Sequence, residues 1–409
     1  VRHVIEIASG IAVVADSTWA ALQGRAALDV DWDEGHNAGL GSETLRQALL
    51  ERLGPSGDHP NRREAIYEVP FLAHAPAEPM NCVADVRADR CDVWAPTQNP
   101  GAAKDRAVSL GGVPREAVRL STTLVGGGFG RRLQVDYVGQ AVEISRAVGA
   151  PVKLTWTRED DIQHDYYHPF TVHRVSAMLD PPSVPSVRTV TFGAQDFPTG
   201  AMRAVTNIPD AFVRECFLDE LAGEIDRDPY ELRMELSGYR SYRKVLELVA
   251  TKADWYAPLP DGWGRGIACH STWNVTPVAQ VIDASVDQQG HVRVHRVFCA
   301  VDCGLVINPD MVEAQMEGGI VFGLTTALKG HITLRDGRVE QSNFHDYPLL
   351  TIAEMPEIEV YIVPSEGRPT GVGEMGNPPA APALLNAIFA ATGKRIRHLP
   401  VRPEDLRPA

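Results

Sequence analysis

The stretch GVGEMGNPPA, residues 371–380, cannot lie inside a helix or an ordinary strand, because glycine loosens the backbone and proline removes amide donors. It has to be a turn between elements, and it carries one acid, Glu374. Two readings fit a lone carboxylate there: a solvated loop glutamate, or a catalytic base on a stiffened loop that lets a substrate come close. A second tract, VGGGFGRRLQVDY at 125–137, imposes a similar break. A strand-like run enters Gly126, Gly127 and Gly128; Phe129, Gly130, Arg131 and Arg132 follow, and then a helical pattern. Consecutive glycines let backbone N–H groups approach a ligand, and a helix N-terminus favours an anion. Arg131 and Arg132 would add forked donors for phosphate. The tract reads equally as a tight strand-to-helix turn or as an anion cradle. It is not a dinucleotide fingerprint, since G-x-G-x-x-G needs a glycine where Arg131 stands, and no GK[ST] is present for a phosphate-binding loop.

Around these breaks the hydrophobic pattern mixes periods. VRHVIEI, IAVVAD and LDVDWDEG read as strands flanking a helix over STWAALQGRAAL with Ser17 as its N-cap, and one further helix follows before residue 61. EAIYEVPFLAH, CVADV, CDVWAP, AVRLSTTLV and PVKLTWTRED read as strands, the last leading into a loop. PGAAKDRAVSLGG, QVDYVGQAVEISRAVG, IPDAFVRECFLDELAGEI and DPYELRMEL read as helices, with Pro229 at the first turn of the last. Beyond 241 come a long hairpin at 279–302 with Gly290 in its turn and helices over 309–328 and 381–393. Strands and helices mix without strict alternation, so the expected class is α+β with two large lobes.

The chain has 409 residues, enough for about two or three domains. Its formal net charge of −14 argues against a nucleic-acid surface or an anionic membrane partner. No apolar run approaches the roughly 18 residues of a membrane span. The six cysteines are scattered, and none has the spacing of an iron–sulfur or zinc site. Any iron–sulfur carrier is therefore expected on another polypeptide. His164 and His168 in HDYYH are four apart, but the glutamate of a zinc-protease helix is missing, and Tyr166, Tyr167 and Pro169 oppose a helix. No G-x-S-x-G nucleophile turn is present. TGAMRAVT at 199–206 places Arg203 just before an apolar helix, and the helix at 309–328 carries Gln315 and Glu317, which by themselves read as solvated residues.

The ordered set of motifs resembles the molybdenum-binding large subunits of the xanthine dehydrogenase/aldehyde oxidase family, nearest the isoquinoline 1-oxidoreductase beta-subunit branch. The matching tracts are AEPMNC (77–82), VWAPTQNP (93–100), GGGFGRR (126–132), GAMRA (200–204), AFVRECFLDELA (211–222), AVDCGLVINPD (300–310), QMEGGIVFGL (315–324) and GVGEMG (371–376). The resemblance implies two mixed α/β cofactor-binding lobes, at 61–240 and 241–409, preceded by the end of a small hammerhead-like α/β domain over 1–60. It implies molybdopterin, as the cytosine dinucleotide, carrying molybdenum with no protein side chain as metal ligand. It implies carbon hydroxylation with oxygen from water, on an N-heterocycle or an aldehyde, with electrons passing to a small 2Fe–2S subunit. Gly127, Gly128, Phe129, Gly130, Arg131, Arg203, Gln315 and Gly373 fall at cofactor-binding positions, and Glu374 matches the catalytic glutamate, the base.

The chain also departs from the family pattern. The M-G-Q-G motif is absent, so a further large-subunit segment carrying it is an expected partner, and the chain is expected to be a fragment or half of a split subunit. Arg132 and Leu133 stand where xanthine-type members continue with Lys-Glu, and a glutamine expected upstream of Glu78 has no counterpart around Leu72. The alternatives are an aldehyde dehydrogenase of the same family and a truncated, non-catalytic cofactor-binding or assembly protein.

Overall fold

In the computed structural model, which describes residues 1–57, 59–192 and 197–407, helices and sheets mix without strict alternation, as expected for an α+β chain. Strands β1 (His3–Ile7) and β2 (Gly10–Val14) form a hairpin. Helix α1 (Thr18–Ala26) follows, its N-terminus capped by Ser17, whose hydroxyl accepts from the Ala20 amide at 3.2 Å. The strand expected over LDVDWDEG does not form. Asp29, Asp31 and Asp33 are exposed there, and among the described residues no strand edge takes up the segment's amides. Helix α2 (Ser42–Leu53) buries Leu45, Leu49 and Leu53, spaced by four, against Phe71, Tyr167 and Ile332.

The next unit comprises β3 (Arg62–Val69), β4 (Asn81–Val86), β5 (Cys91–Ala95), α3 (Pro100–Gly111), β6 (Val118–Thr122), α4 (Asp136–Val148) and β7 (Val152–Thr155). A four-stranded sheet in the order β6-β5-β4-β7 packs one face on α3 and α4. Its strands accordingly alternate: Cys82, Ala84 and Val86 on β4, and Cys91, Val93 and Ala95 on β5, point inward. After β7, where a loop is expected, Thr157 and Asp160 form a capping box that starts a short helix, α5 (Arg158–Gln163). Strands β8 (Thr171–Met178) and β9 (Ser186–Thr191) join β3 in a three-stranded sheet. Their sequence signal is weak because His173, Arg174, Ser176 and Arg188 interrupt the apolar pattern.

Helices α6 (Asn207–Glu224), α7 (Pro229–Leu236) and α8 (Arg240–Lys252) lead to β10 (Trp263–Thr272), β11 (Thr276–Val286) and β12 (Val292–Val301). Then come α9 (Pro309–Leu328), the short pair β13 (Leu334–Arg335) and β14 (Arg338–Val339), β15 (Glu357–Ile362), α10 (Ala380–Thr392) and α11 (Pro403–Leu406). The second large sheet runs β10-β11-β12-β15, with β15 parallel to β12. Helix α10 covers one face and α8 the other, so β10 and β11 are buried almost end to end. The largest core joins Tyr67, Phe212 and Phe217 to Ile282, Val297, Leu324 and Leu384, so it draws on both sides of residue 240. No helix among the described residues is long and apolar enough to cross a membrane.

Helix α10 lies directly on β10 because β10 offers glycines where it passes. A Cβ on Gly266 would stand 2.2 Å from both the Ala383 carbonyl oxygen and the Ala387 amide nitrogen. Gly266→Ala should therefore destabilise the protein by about 3 kcal/mol, the upper range for an overpacked core. Gly39→Ala, with nothing within 4 Å of the new methyl, should stay within about 0.5 kcal/mol. Urea denaturation of the two variants measures both values.

Candidate functional site

Four segments far apart in sequence meet at the ends of these layers. The first is the glycine tract after β6. The Gly126 amide donates to Glu78 Oε2 at 2.9 Å, and Gly127, Phe129 and Gly130 have φ of 95°, 52° and 111°. Such left-handed steps turn successive amides into a concave nest. The amides of Gly127, Gly128 and Phe129 donate to no acceptor among the described residues. Glycine is needed here for approach as well as for φ. A Cβ on Gly130 would lie 1.7 Å from the Ala201 carbonyl oxygen, and one on Gly128 would lie 2.4 Å from Gln98 Oε1. Gln98 Oε1 accepts from the Gly130 amide at 3.1 Å. Sequence reasoning does not single out Gln98 as a site residue, although it sits in the VWAPTQNP motif; its long-range contact with the glycine tract is the missing information.

The expectation of Arg131 and Arg132 as phosphate donors is corrected. Both side chains are fully buried. Arg131 forks onto Asp136 at 2.9 and 2.8 Å, its Nε lies 3.2 Å from Asp165, and its guanidinium stacks near Trp156 and Tyr166. Arg132 donates to the carbonyls of Gly127, Pro96 and Glu78 and to the Glu78 carboxylate, at 2.8 to 3.1 Å. The two arginines brace the loop from behind. A forked cation next to buried carbonyls and carboxylates is worth more there than in water, which is why the pair turns inward.

The second segment, 200–206, is tied to the first by the Arg203 amide, which donates to the Phe129 carbonyl at 2.8 Å. Arg203 reaches the other two segments with its side chain. Its Nε donates to the Gly373 carbonyl at 2.7 Å, and a terminal nitrogen donates to the carbonyl and Oε1 of Gln315 on α9 at 3.1 and 3.0 Å. Burial draws the Arg203 guanidinium below its ordinary range, and the nearby charge of Glu374 works the other way. The fourth segment is the Gly/Pro turn. Glu374 is half-buried; its Oε1 accepts from the Ala204 amide at 2.9 Å, and its Oε2 has no hydrogen-bond partner among the described residues. The turn is held below by Gln280 Nε2, which donates to the Gly376 carbonyl at 2.8 Å, and by Gly319 of α9, where a Cβ would meet the Gly376 Cα at 3.0 Å. Gly373 has only Gln315 Oε1 near its Cβ position, at 4.0 Å, so its outer side is open.

The structure thus brings Gly127, Gly128, Phe129, Gly130, Arg203, Gln315, Gly373 and Glu374 to one place and turns the Arg131 side chain away from it. Glu317 stays exposed on α9. His164 and His168 lie outside any helix, and burial pushes His168 down to about 4, so it is a neutral core residue. Among the described residues no three His, Cys, Asp or Glu side chains gather to hold a metal, and all six cysteines are buried and free. A group that brought its own metal ligands would fit such a site. The unpaired amides of Gly127 to Phe129 suit the oxygens of such a ligand-borne group, and Glu374 supplies one carboxylate oxygen able to accept a proton.

One supporting residue has no sequence signal at all. His74 lies beneath the glycine and arginine loops, with Nδ1 2.9 Å from both oxygens of Asp165 and Nε2 2.9 Å from the Ala201 carbonyl oxygen. Both partners only accept, so both ring nitrogens donate and the ring is an imidazolium. Burial opposes that charge, but Asp165 outweighs it and raises His74 above its ordinary 6.5. Burial likewise opposes the Asp165 carboxylate, while His74 and Arg131 pull it below 3.8.

Comparison with known proteins places part of this site inside two matched domains: Gly127 to Gly130 in one and Gln315 in the other. Two profiles, each described as a molybdopterin cofactor-binding domain, match residues 58–180 and 229–356. The beta subunit of isoquinoline 1-oxidoreductase from Brevundimonas diminuta is 29% identical over 476 residues, covering 98% of this chain and 61% of the relative. A membrane-bound aldehyde dehydrogenase (pyrroloquinoline-quinone) from Gluconacetobacter polyoxogenes is 28% identical, covering 97% of this chain and 62% of the relative. The crystal structure of quinoline 2-oxidoreductase from Pseudomonas putida 86 superposes with a TM-score of 0.74 at 14% identity, covering 87% of this chain and 77% of that one. The chain therefore spans about three fifths of the length of these two curated relatives.

The His74–Asp165 pair makes stability depend on pH in a defined way. A raised histidine stabilises fully below its unfolded value of 6.5, and that share is lost as pH climbs through the folded value. The depressed Asp165 contributes above 3.8, and its share is lost as pH falls through its folded value. Between about pH 5 and 9, urea midpoints of the wild type should fall on the alkaline side, and His74→Gln should flatten that fall. Asp165→Asn, which strands two buried cations, should cost about 3 kcal/mol at neutral pH.

Proposed function

Because the chain belongs to the xanthine dehydrogenase/aldehyde oxidase family of molybdopterin-binding large subunits, we propose that it is the catalytic part of a molybdenum hydroxylase. The observation that carries this reading is a continuous run of bonds through three motif loops: Phe129 to Arg203, Arg203 to Gly373 and Gln315, and Ala204 to Glu374. Bound molybdopterin supplies a metal centre that accepts two electrons from the substrate carbon, and the protein supplies placement and proton transfer. Gly127, Gly128 and Phe129 would hold it through their amides, with Arg203 and Gln315 forming the opposite wall. Glu374 Oε2 takes the proton shed by the water-derived oxygen as it attacks an electron-poor carbon.

The substrate class we propose is an N-heterocycle or an aldehyde, supported by the names of the relatives and settled by a turnover screen of isoquinoline, nicotinate-like rings and aromatic aldehydes. The cofactor is proposed to be the cytosine dinucleotide form. Two-electron chemistry needs an exit, and none of the chain's cysteines has cluster spacing, so a small 2Fe–2S subunit is the proposed acceptor. Metal and nucleotide analysis tests the cofactor. Absence of both molybdenum and cytosine nucleotide, from a host able to make the cofactor, would favour a non-catalytic binding or assembly protein.

Glu374→Gln keeps the size and the bond from Ala204 but cannot accept a proton at neutral pH. Its kcat, normalised to bound molybdenum, should fall by about 10²–10⁴. Molybdenum content should match the wild type. A loss below about tenfold at full occupancy would place the base elsewhere.

A further inference from the structure

The peptide unit joining Arg203 to Ala204 is gripped on both edges by one turn. Its N–H donates to Glu374 Oε1 at 2.9 Å, and its C=O accepts from Asn377 Nδ2 at 2.6 Å. In a trans peptide these groups point in opposite directions, so Glu374 and Asn377 hold opposite sides of one plane. Asn377 is 1% exposed, and its own amide donates to the Glu374 carbonyl at 3.1 Å. Gly323 of α9 leaves room for its side chain: a Cβ there would stand 3.0 Å from Asn377 Oδ1.

The plane is held in an unfavourable orientation. Ala204 and the following Val205 have φ of 78° and 47°, in the left-handed region that a Cβ disfavours. Turning the peptide over would carry Ala204 back to ordinary negative φ. It would also withdraw the N–H from Glu374 and aim a carbonyl oxygen at the carboxylate. Backbone strain therefore favours the orientation that would misplace Glu374, and the bond from Asn377 to the Arg203 carbonyl opposes it. Neither the Arg203 side chain nor Gln280 can substitute, because they hold the carbonyls of Gly373 and Gly376 on the other partner of the contact.

We propose that Asn377 is a positioning residue: by fixing the Arg203–Ala204 plane it keeps an amide aimed at Glu374 and Oε2 directed for proton transfer. The inference rests on Glu374 being the base. The test uses the full-length, cofactor-loaded protein. In Asn377→Ala, hydrogen exchange at the Ala204 amide, read by mass spectrometry with residue-level fragmentation, should quicken by about tenfold. Its kcat should fall by about tenfold or more, with KM and bound molybdenum near wild type. Asn377→Asp keeps the size but not the donor and should behave alike if the alanine variant does not fold. Adding Ala204→Gly removes the Cβ that makes the left-handed step costly, so it should restore part of both losses, which a simple packing defect at 377 would not allow. Unchanged exchange at Ala204 overturns the proposal. So does faster exchange with unchanged kcat while Glu374→Gln is inactive. Full activity in Glu374→Gln overturns the base assignment instead, and the catalytic half of the proposal with it.

Discussion

The side chain of Arg203 joins what the chain keeps far apart. Its donors reach Gly373, 170 positions away, and Gln315, 112 positions away, while its own amide is bonded to the glycine tract. A guanidinium suits this work because its donors form a planar fork, so one side chain fixes both distance and angle to several carbonyls. Burial raises the cost of leaving any of those donors unpaired, which makes the set cooperative. The helix α9 and the Gly/Pro turn can come this close only because Gly319 and Gly376 carry no side chains: a Cβ on Gly319 would meet the Gly376 backbone, and one on Gly376 would meet the backbone of Met316. Backbone proximity and arginine geometry thus depend on each other.

A second network sits behind the first. His74, Asp165 and Arg131 form a buried series of charges, bordered by the partly exposed Asp136, that ends on the Ala201 carbonyl, the group against which Gly130 presses. Arg132 gathers the carbonyls of Gly127, Pro96 and Glu78. Buried charges of this kind are costly unless an opposite charge stands close by, and here Asp165 and Asp136 flank Arg131 while Asp165 faces His74. The return is rigidity in a loop whose glycines would otherwise leave it loose. That rigidity is what lets consecutive amides stay aimed at one place.

The division of labour follows from this framework. The described chain gathers no set of metal-binding side chains, which suits a cofactor that brings its own metal ligands. What the site offers is backbone amides, one arginine, one glutamine and one carboxylate with an oxygen to spare. Such a set suits the binding, orientation and proton transfer proposed for it. The molybdopterin-binding domains that match the chain, at 58–180 and 229–356, lie on either side of the segment carrying Arg203.

The amino-acid sequence by itself determined the breaks and most of the elements between them. Glycine and proline keep helix and strand out of 371–379, Ser17 and Asp228 start helices through their own side chains, and alternation marks β4 and β5 because helices cover only one face. The mixed α+β class followed from those local periods. Only the tertiary structure decided which way Arg131 and Arg132 point, because beyond Asp136 and Gly127, five residues away, their partners Asp165, Pro96 and Glu78 are distant in sequence. It also decided that Gln98 meets Gly130, that His74 is charged, and that β8 and β9 pair with β3 despite polar interruptions. Periodicity and capping are properties of neighbouring residues, whereas a side chain's partner across 170 positions depends on packing that no short window contains.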